Sequence, residues 1–551
     1  MENRDDNFYE ANAADVNLEE ITSSAKNAKI LQQLRDGDPK LHCLILGGLF
    51  SNFHVSEDDD LGWLGFFISR SACLHSLNIC YLPDGEQQIR NAFSEGIARS
   101  QSIRNISIDN LNNDAFTAVM RVLRSLSQLE GLTIWGDNNI DHDGWYELRI
   151  LLESGGCKLK QLCLSENNYI RNEGLDVLSN GLRGIGSSLK VLTLSDNSIS
   201  NEGLSTLVEA LQTCTSLERL HLSSNDFSSA AAGLSSLSDW LWNAPMNLKN
   251  LGIECCSIND DGLHAVVEGA AIHCKELYLD GNGSITSAGL SYLSNAIRSD
   301  SCRVETLWLQ GIPIGDDGTE VLARGLANNK SVRSMYLGDS VDVSVTSAGW
   351  LAFSTALCDT SSVNNTYLSN HTICDIWNED DEDRPIPPQY ISLHLQLNGE
   401  HPQYAARCKI LMSHPHLIME PLHQWGLKSL PLAVAWFERA KPCTALTIED
   451  AYSDLRRRIL DESDEAFESR ELTAMYEFVR GMPMEVMKSR SGLAVAVAYD
   501  EKIARIEEEN KIALEQRDRK NLELEEEIAR LQIENKRLSG IVEAVRKNVG
   551  F

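Results

Sequence analysis

Residues 189–211 read LKVLTLSDNSISNEGLSTLVEAL and contain two different spacings of leucine. In the first part, Leu192 and Leu194 alternate as in a strand, where every second side chain points to the same face. In the second part, Leu207 and Leu211 are spaced as on one face of a helix. Neither part is long enough to fold alone, so each must bury its apolar face against neighbouring segments.

Stretches with this pattern recur along residues 41–372, at an average spacing of about 29 residues. Examples are LKQLCLSENNYI, LERLHLSSNDF and VETLWLQGIPI. Eleven units are clear, and VNNTYLSNHTI, which begins at Val363, would make a twelfth. One unit alone has no neighbour to cover its apolar faces, so the stacked array is the stable form. The clear units begin at Leu41, Leu74, Ile103, Leu129, Leu159, Leu189, Leu217, Leu248, Cys274, Val304 and Val332.

The motif L-x-x-L-x-L-x-x-N/C resembles the leucine-rich repeat, and its long period resembles the ribonuclease-inhibitor type. This resemblance implies an α/β fold: a horseshoe solenoid with a parallel sheet inside and helices outside. At the ninth motif position, we expect an amide or thiol side chain to bond backbone groups in the turn. The residues at this position are Asn167, Asn197, Asn225, Cys256 and Asn282.

The two ends of the array have different sequence character. Residues 1–40 are mostly polar, but Leu18, Ile21, Ala25 and Ala28 are spaced as one helical stripe, which predicts an N-terminal cap. Residues 373–390 contain a run of acidic residues and three prolines, which predict a linker.

Residues 391–492 contain several short amphipathic segments and predict a small helical domain. This segment resembles a tail found on ribonuclease-inhibitor-like repeat proteins of diatoms and related algae. The resemblance is based on AARCKILMSH, LKSLPLAVAWFERA and MYEFVRGMP, and it implies no activity.

Residues 493–551 lack proline and predict a long C-terminal coiled-coil helix. Asn535 occupies a core position, where asparagine favours a parallel pair in register at a cost in stability. A homodimer or a partner helix would cover this stripe, and the alternative is a single helix that lies on the protein's own surface. The predicted core residues are Leu524, Ile528, Leu531, Asn535, Leu538, Val542 and Val545.

The net charge of −31 excludes several classes of partner. A strongly acidic protein repels nucleic-acid phosphates and anionic membranes, so we expect neither as a partner. The segment MENRDDNFYE lacks the features of a secretory signal, and the 14 cysteines show no paired framework. We therefore expect a cytoplasmic protein with reduced thiols, and a nuclear location is also compatible with these features.

The sequence contains no phosphate-binding loop and no metalloprotease, esterase or kinase motif. The histidines and cysteines of residues 391–492 do not have the spacing of a zinc site. We therefore expect no enzyme activity, no metal and no cofactor.

Motif positions three, five and seven should face the concave side, because positions four and six face the core. At position five, Tyr278, Trp308, Tyr336 and, in the twelfth unit, Tyr367 predict a stripe of rings on strands about 4.8 Å apart. Exposed aromatic residues beside acids are typical of protein-binding hot spots. The alternative is that the rings only pack on one another and cover backbone. The polar residues predicted to flank the stripe are Glu254, Glu276, Asp280 and Gln310.

These features predict a non-enzymatic scaffold that binds a protein partner with a basic surface on its concave face and oligomerises through the coiled coil. A GTPase-activating protein of the Ran-activator type is one alternative, since those proteins have a similar array and an acidic tract. A cytosolic inhibitor of a basic enzyme, as ribonuclease inhibitors are, is another.

Overall fold

The structure is a computed structural model of the 551-residue chain. The residues that it describes are 6–22, 24–55, 61–82, 87–136, 140–154, 157–166, 170–228, 232–243, 247–327, 329–338, 345–378, 387–400 and 405–413. The chain divides into two compact units, Met1–Asp359 with Leu368–Ala405, and Thr360–Tyr367 with Ala406–Phe551. Residues 360–367 and 406–413 are the described part of the second unit.

Strands and helices alternate along the repeats of the first unit, as the repeat pattern predicts. The helical segments Val363–Leu368 and Ala405–Ser413 lie mainly in the second unit. The strands are β1 Cys43–Leu46, β2 Ser76–Ile79, β3 Asn105–Asp109, β4 Gly131–Trp135, β5 Gln161–Ser165, β6 Val191–Thr193, β7 Arg219–His221, β8 Asn250–Gly252, β9 Glu276–Tyr278, β10 Thr306–Leu309, β11 Ser334–Leu337 and β12 Asp375–Asn378. The helices are α1 Asp6–Asn12, α2 Ala25–Asp36, α3 Leu61–Arg70, α4 Gln87–Arg99, α5 Asn113–Leu123, α6 His142–Glu153, α7 Arg171–Ile185, α8 Asn201–Leu211, α9 Ala232–Asn243, α10 Asp260–His273, α11 Ser287–Arg298, α12 Gly315–Leu326, α13 Ser347–Leu357, α14 Val363–Leu368, α15 Gln389–Glu400 and α16 Ala405–Ser413.

The strands form one parallel sheet of twelve strands in sequential order, β1 to β12. Within a strand, burial alternates with the pleat: Leu307 and Leu309 of β10 are buried, while Thr306 and Trp308 are half-buried. The buried leucines pack on the apolar stripes of the helices in one continuous core. This arrangement confirms the predicted horseshoe solenoid, with the sheet inside and the helices outside.

Buried asparagines join successive repeats, as predicted for the ninth motif position. The amide of Asn225 donates to Leu194 O at 2.9 Å and to Leu222 O at 2.7 Å. Its Oδ1 accepts from the backbone of Asn197 and Ile199. Asn282, two repeats further along the chain, makes the four equivalent hydrogen bonds. Asn167 lies outside the described residues.

The N-terminal segment differs from the single helical stripe that the sequence predicts. Helix α2 begins only at Ala25, because the Ser24 side chain accepts a hydrogen bond from Asn27 N and caps the helix. Leu18 and Ala28 are both buried in the core, but Leu18 and Ile21 lie in the turns before the helix. The prediction of one helix through all four residues is therefore wrong.

The prediction of the twelfth unit is also wrong. Val363–Leu368 forms α14, and the twelfth strand lies at Asp375–Asn378, inside the segment 373–390 that was predicted to be a linker. Ile373 and Ile376 supply the buried apolar positions of this unit. The polar Asn378 occupies its sixth position, which conceals the motif from a search for alternating apolar residues.

Helix α15 belongs to the repeat array, although its sequence lies largely in the predicted helical domain 391–492. Ile391 and Leu395 lie in the same core as the repeats, and Asn398 donates to Ile373 O at 2.7 Å. Several predicted features lie outside the described residues: 379–386 of the linker, 414–492 of the helical domain, and the whole coiled coil 493–551 with its core residues.

Candidate protein-binding surface

The sheet register lines up the residues at motif position five across the concave face. The partners run from His221 of β7 through Gly252, Tyr278, Trp308 and Tyr336 to Trp377 of β12. Neighbouring parallel strands are about 4.8 Å apart, so rings at this position must touch one another. We call Tyr278, Trp308, Tyr336 and Trp377 the aromatic ladder.

The rings of the aromatic ladder are nearly parallel. Tyr278 and Trp308 have ring centroids 5.5 Å apart, and Trp308 and Tyr336 lie at 3.7 Å with planes 4° apart. Tyr336 and Trp377 lie at 6.4 Å with planes 9° apart. The first three rings are half-buried, whereas Trp377 is 53% exposed. The ladder therefore ends in an aromatic surface open to solvent.

The predicted stripe is thus present, but one of its members is wrong. Tyr367 lies in α14, because the segment from Val363 is helical, and the position opposite Tyr336 is taken by Trp377. The sequence signal for Trp377 was the short pattern Ile373-x-x-Ile376 immediately before it. Trp135 of β4, at position seven, is 42% exposed and stands apart from the ladder.

Two acidic side chains flank Tyr278. The Tyr278 hydroxyl and the Asn250 amide each donate to Glu276 Oε2 at 2.5 Å. Ser223 donates to Glu254 Oε2. Burial and the hydrogen bond to Glu276 raise the pKa of Tyr278 to about 12. The ring therefore stays neutral at physiological pH, and both carboxylates are held in place by hydroxyl or amide donors.

These concave-face carboxylates differ in their ion pairing from the glutamates that directly precede strands. Glu218 binds the ammonium groups of Lys190 and Lys249, each at 2.8 Å. Glu130 and Glu305 have lysine partners of the same kind. By contrast, Glu254 and Glu276 make no ion pair with any Lys or Arg in the described ranges. No described Lys or Arg side chain therefore neutralises their negative charge.

The other two predicted polar residues face each other in successive turns. The Asp280 Oδ1 accepts a hydrogen bond from Gln310 N at 2.8 Å. Both side chains are half-buried beside the aromatic ladder. Asp280 therefore adds charge to the same face, while part of its hydrogen-bonding capacity holds the neighbouring turn.

Sequence reasoning missed two residues at the start of the ladder. The His221 ring lies 5.6 Å from the Tyr278 ring although a whole strand separates them. Gly252 occupies that strand, and a Cβ there would lie only 2.4 Å from His221 Nδ1. In the sequence, motif position five would have placed His221 on the same line as Tyr278. The contact between the two rings, however, forms only because Gly252 between them has no side chain.

The described residues show no cluster suited to a metal ion: nowhere among them do three or more His, Cys, Asp or Glu side chains converge. Among the described helices, none has the length and apolar character needed to cross a bilayer.

Comparison with known proteins supports the repeat assignment. A family model described as "Leucine Rich repeat" matches residues 187–208 and 213–235. Ribonuclease inhibitor of Sus scrofa is 28% identical over 184 residues, which cover 33% of this chain and 40% of that protein. These repeats are leucine-rich repeats, and they are similar to those of ribonuclease inhibitor.

Two further proteins, one compared by sequence and one by structure, are similar to part of this chain. NACHT, LRR and PYD domains-containing protein 14 of Mus musculus is 29% identical over 253 residues, which cover 46% of this chain and 25% of that protein. The leucine-rich-repeat-containing protein LegL7 of Legionella pneumophila has 16% identity and a TM-score of 0.35, over 54% of this chain and 90% of that one. The chain therefore spans less than half the length of the two curated relatives.

Proposed function

We propose that this protein is a non-enzymatic interaction scaffold, and that its concave face binds a protein ligand with a basic surface. The observation that carries the proposal is the aromatic ladder on β9 to β12, with Glu254 and Glu276 beside it and unpaired by any described Lys or Arg. Leucine-rich-repeat proteins are generally protein-interaction scaffolds, which agrees with this proposal.

Charge favours a basic ligand. The chain has 80 acidic and 49 basic residues, so its long-range field attracts cations. At short range, Glu254 and Glu276 are already held by hydroxyl and amide donors. A Lys or Arg side chain from a ligand would find these carboxylates pre-positioned, which reduces the entropy lost on binding.

The aromatic ladder supplies the apolar part of the surface. Because Trp308 is held between Tyr278 and Tyr336, its side chain loses little freedom when a ligand contacts it. Rigid aromatic residues are enriched among binding hot spots for this reason. Trp377 presents the most open ring and would contact the ligand with the largest fraction of its surface.

A basic enzyme is one form that this ligand would take. Ribonuclease inhibitor is among the relatives, and the name of that protein states that it inhibits a ribonuclease. In this second candidate function, the protein is an inhibitor, and its concave face covers the active site of an enzyme that has a basic surface.

Oligomerisation through residues 493–551 remains part of the proposal and rests on the sequence pattern. If the helix pairs two chains, light scattering should give the mass of two chains for the full-length protein and of one chain after deletion of residues 495–551. The same number of chains before and after the deletion would contradict self-association through this helix.

A panel of purified basic proteins, with pancreatic ribonuclease and lysozyme among them, tests the proposal by biolayer interferometry, with serum albumin as an acidic counterpart. We expect binding of a basic protein that falls at least about tenfold for Trp308→Ala/Tyr336→Ala. The matched control is His264→Ala/Tyr292→Ala, a ring pair stacked at 3.9 Å on α10 and α11 of the convex side. Equal loss in both variants, or no preference for basic over acidic proteins, would contradict the proposal.

A further inference from the structure

His221 lies beside Tyr278, at the opposite side of the aromatic ladder from Trp377. It occupies motif position five, as the four rings of the ladder do. Its imidazole is half-buried and lies at an angle of 56° to the Tyr278 ring. A histidine here differs from the other rings, because it alone changes charge near physiological pH.

Gly252 brings this imidazole close to an acid. A Cβ built on Gly252 would lie 2.4 Å from His221 Nδ1 and 2.7 Å from Glu254 Oε2. The two atoms are therefore within about 5 Å of each other, a range in which charges interact strongly. A Cβ at position 252 would clash with both side chains in their present positions.

Four groups determine the electrostatic surroundings of His221. Burial lowers its pKa from 6.5, and Arg219 on the same strand lowers it further. Glu254 in the turn after β8 and Glu276 on β9 oppose this shift. The hydroxyl of Tyr278, also on β9, donates to Glu276 and stays neutral. The net result is a pKa below the ordinary value of 6.5, so the imidazole is neutral at physiological pH.

We propose that His221 is a proton switch for the concave binding surface: the neutral imidazole admits a basic ligand beside Glu254 and Glu276, and the imidazolium excludes it. This inference rests on the proposed function, because it needs a cationic ligand at the ladder. The imidazolium acts in two ways, since it neutralises part of the charge of Glu254 and Glu276 and repels the incoming Lys or Arg.

Proton binding to His221 and binding of a cationic ligand beside it are thermodynamically linked, and this linkage sets the direction of the pH dependence. Below its lowered pKa, His221 binds a proton in the free protein, and a cationic ligand must displace this proton. Affinity for the ligand should therefore fall as the pH decreases. A coupling at the lower end of the usual range corresponds to about fivefold weaker ligand binding when the imidazole is charged than when it is neutral.

Fluorescence anisotropy of the full chain with a fluorescein-labelled nona-arginine peptide tests this proposal. Wild type should bind more weakly at pH ~5 than at pH ~7.5, by up to about fivefold. His221→Gln removes the titrating group, so its affinity should change much less over that range. The matched control His264→Gln removes a histidine that stacks on Tyr292 of the convex face, and it should behave as wild type.

The outcomes separate the switch from the proposed function. If His221→Gln keeps the full pH dependence, the switch is wrong although the basic-ligand proposal stands. If wild type fails to bind the peptide at any pH, both are wrong. A second readout uses unmodified protein: the titration of the His221 resonance in histidine-labelled samples should shift to lower pH when the peptide is added. An unshifted titration of His221 with the peptide bound would overturn the switch.

Discussion

Replacement of Asn225 by leucine should destabilise the array far more than an ordinary surface substitution. The Asn225 side chain is 4% exposed and makes hydrogen bonds to five backbone groups of two successive repeats. Leucine has a similar volume, so the change removes the hydrogen bonds and leaves little cavity.

The expected cost follows from the groups that lose their partner. Asn225→Leu leaves the N–H groups of Asn197 and Ile199 without their acceptor and Leu194 O without the amide donor. Leu222 O loses the same amide but keeps the thiol of Cys256 as a donor. Each buried unsatisfied group costs about 1–3 kcal/mol, and the carbonyls relax more easily than the N–H groups. We therefore expect a loss of about 3–5 kcal/mol in the free energy of unfolding.

Urea unfolding followed by circular dichroism measures this loss against two comparison variants. Asn243→Leu removes an exposed asparagine at the end of α9 and should cost less than about 1 kcal/mol. The loss of stability for Asn225→Cys should lie between those of the two leucine variants. In the next repeat, Cys256 occupies the same motif position, and its thiol donates to Leu222 O and Glu254 O. An Asn225→Leu protein within about 1 kcal/mol of wild type would refute the reasoning.

Three further substitutions or treatments give separate tests. Gly252→Ala should lower the melting temperature, because its Cβ would lie 2.4 Å from His221 Nδ1; an unchanged value would contradict the close contact. Two lysines hold the pKa of Glu218 at about 2, so Glu218→Gln should be less stable than wild type near neutral pH, and the difference should vanish as the pH falls from about 4.5 to about 2. Iodoacetamide should leave Cys256 and Cys274 unmodified in the native protein, since burial raises the pKa of each thiol to about 12; mass spectrometry that finds native-state labelling would contradict this.

The repeat pattern predicted the sheet because its physical cause is local. Alternating leucines such as Leu192 and Leu194 fix which face of the strand is buried, and the helical spacing that follows fixes the other half of the unit. The same reasoning placed Tyr278, Trp308 and Tyr336 on one line, because equal motif positions become neighbours across a parallel sheet.

The errors occur where the pattern is short or where the contact lies between distant residues. The segment that begins at Val363 has the spacing of the strand motif. Short apolar runs are also compatible with a helix, and this segment forms α14. Trp377 was missed because the polar Asn378 follows it in the strand. His221 meets Tyr278 only because Gly252 has no side chain, which no periodicity reveals.

Hydroxyl-radical footprinting of the complex with a basic protein tests the central claim most directly. Trp377 and Trp242 are 53% and 51% exposed, but Trp377 ends the concave ladder whereas Trp242 lies on the helical side, at the end of α9. If the ligand binds the concave face, it should protect Trp377 from oxidation and leave the oxidation of Trp242 unchanged. Protection of Trp242 with no protection of Trp377 would contradict binding on the concave face.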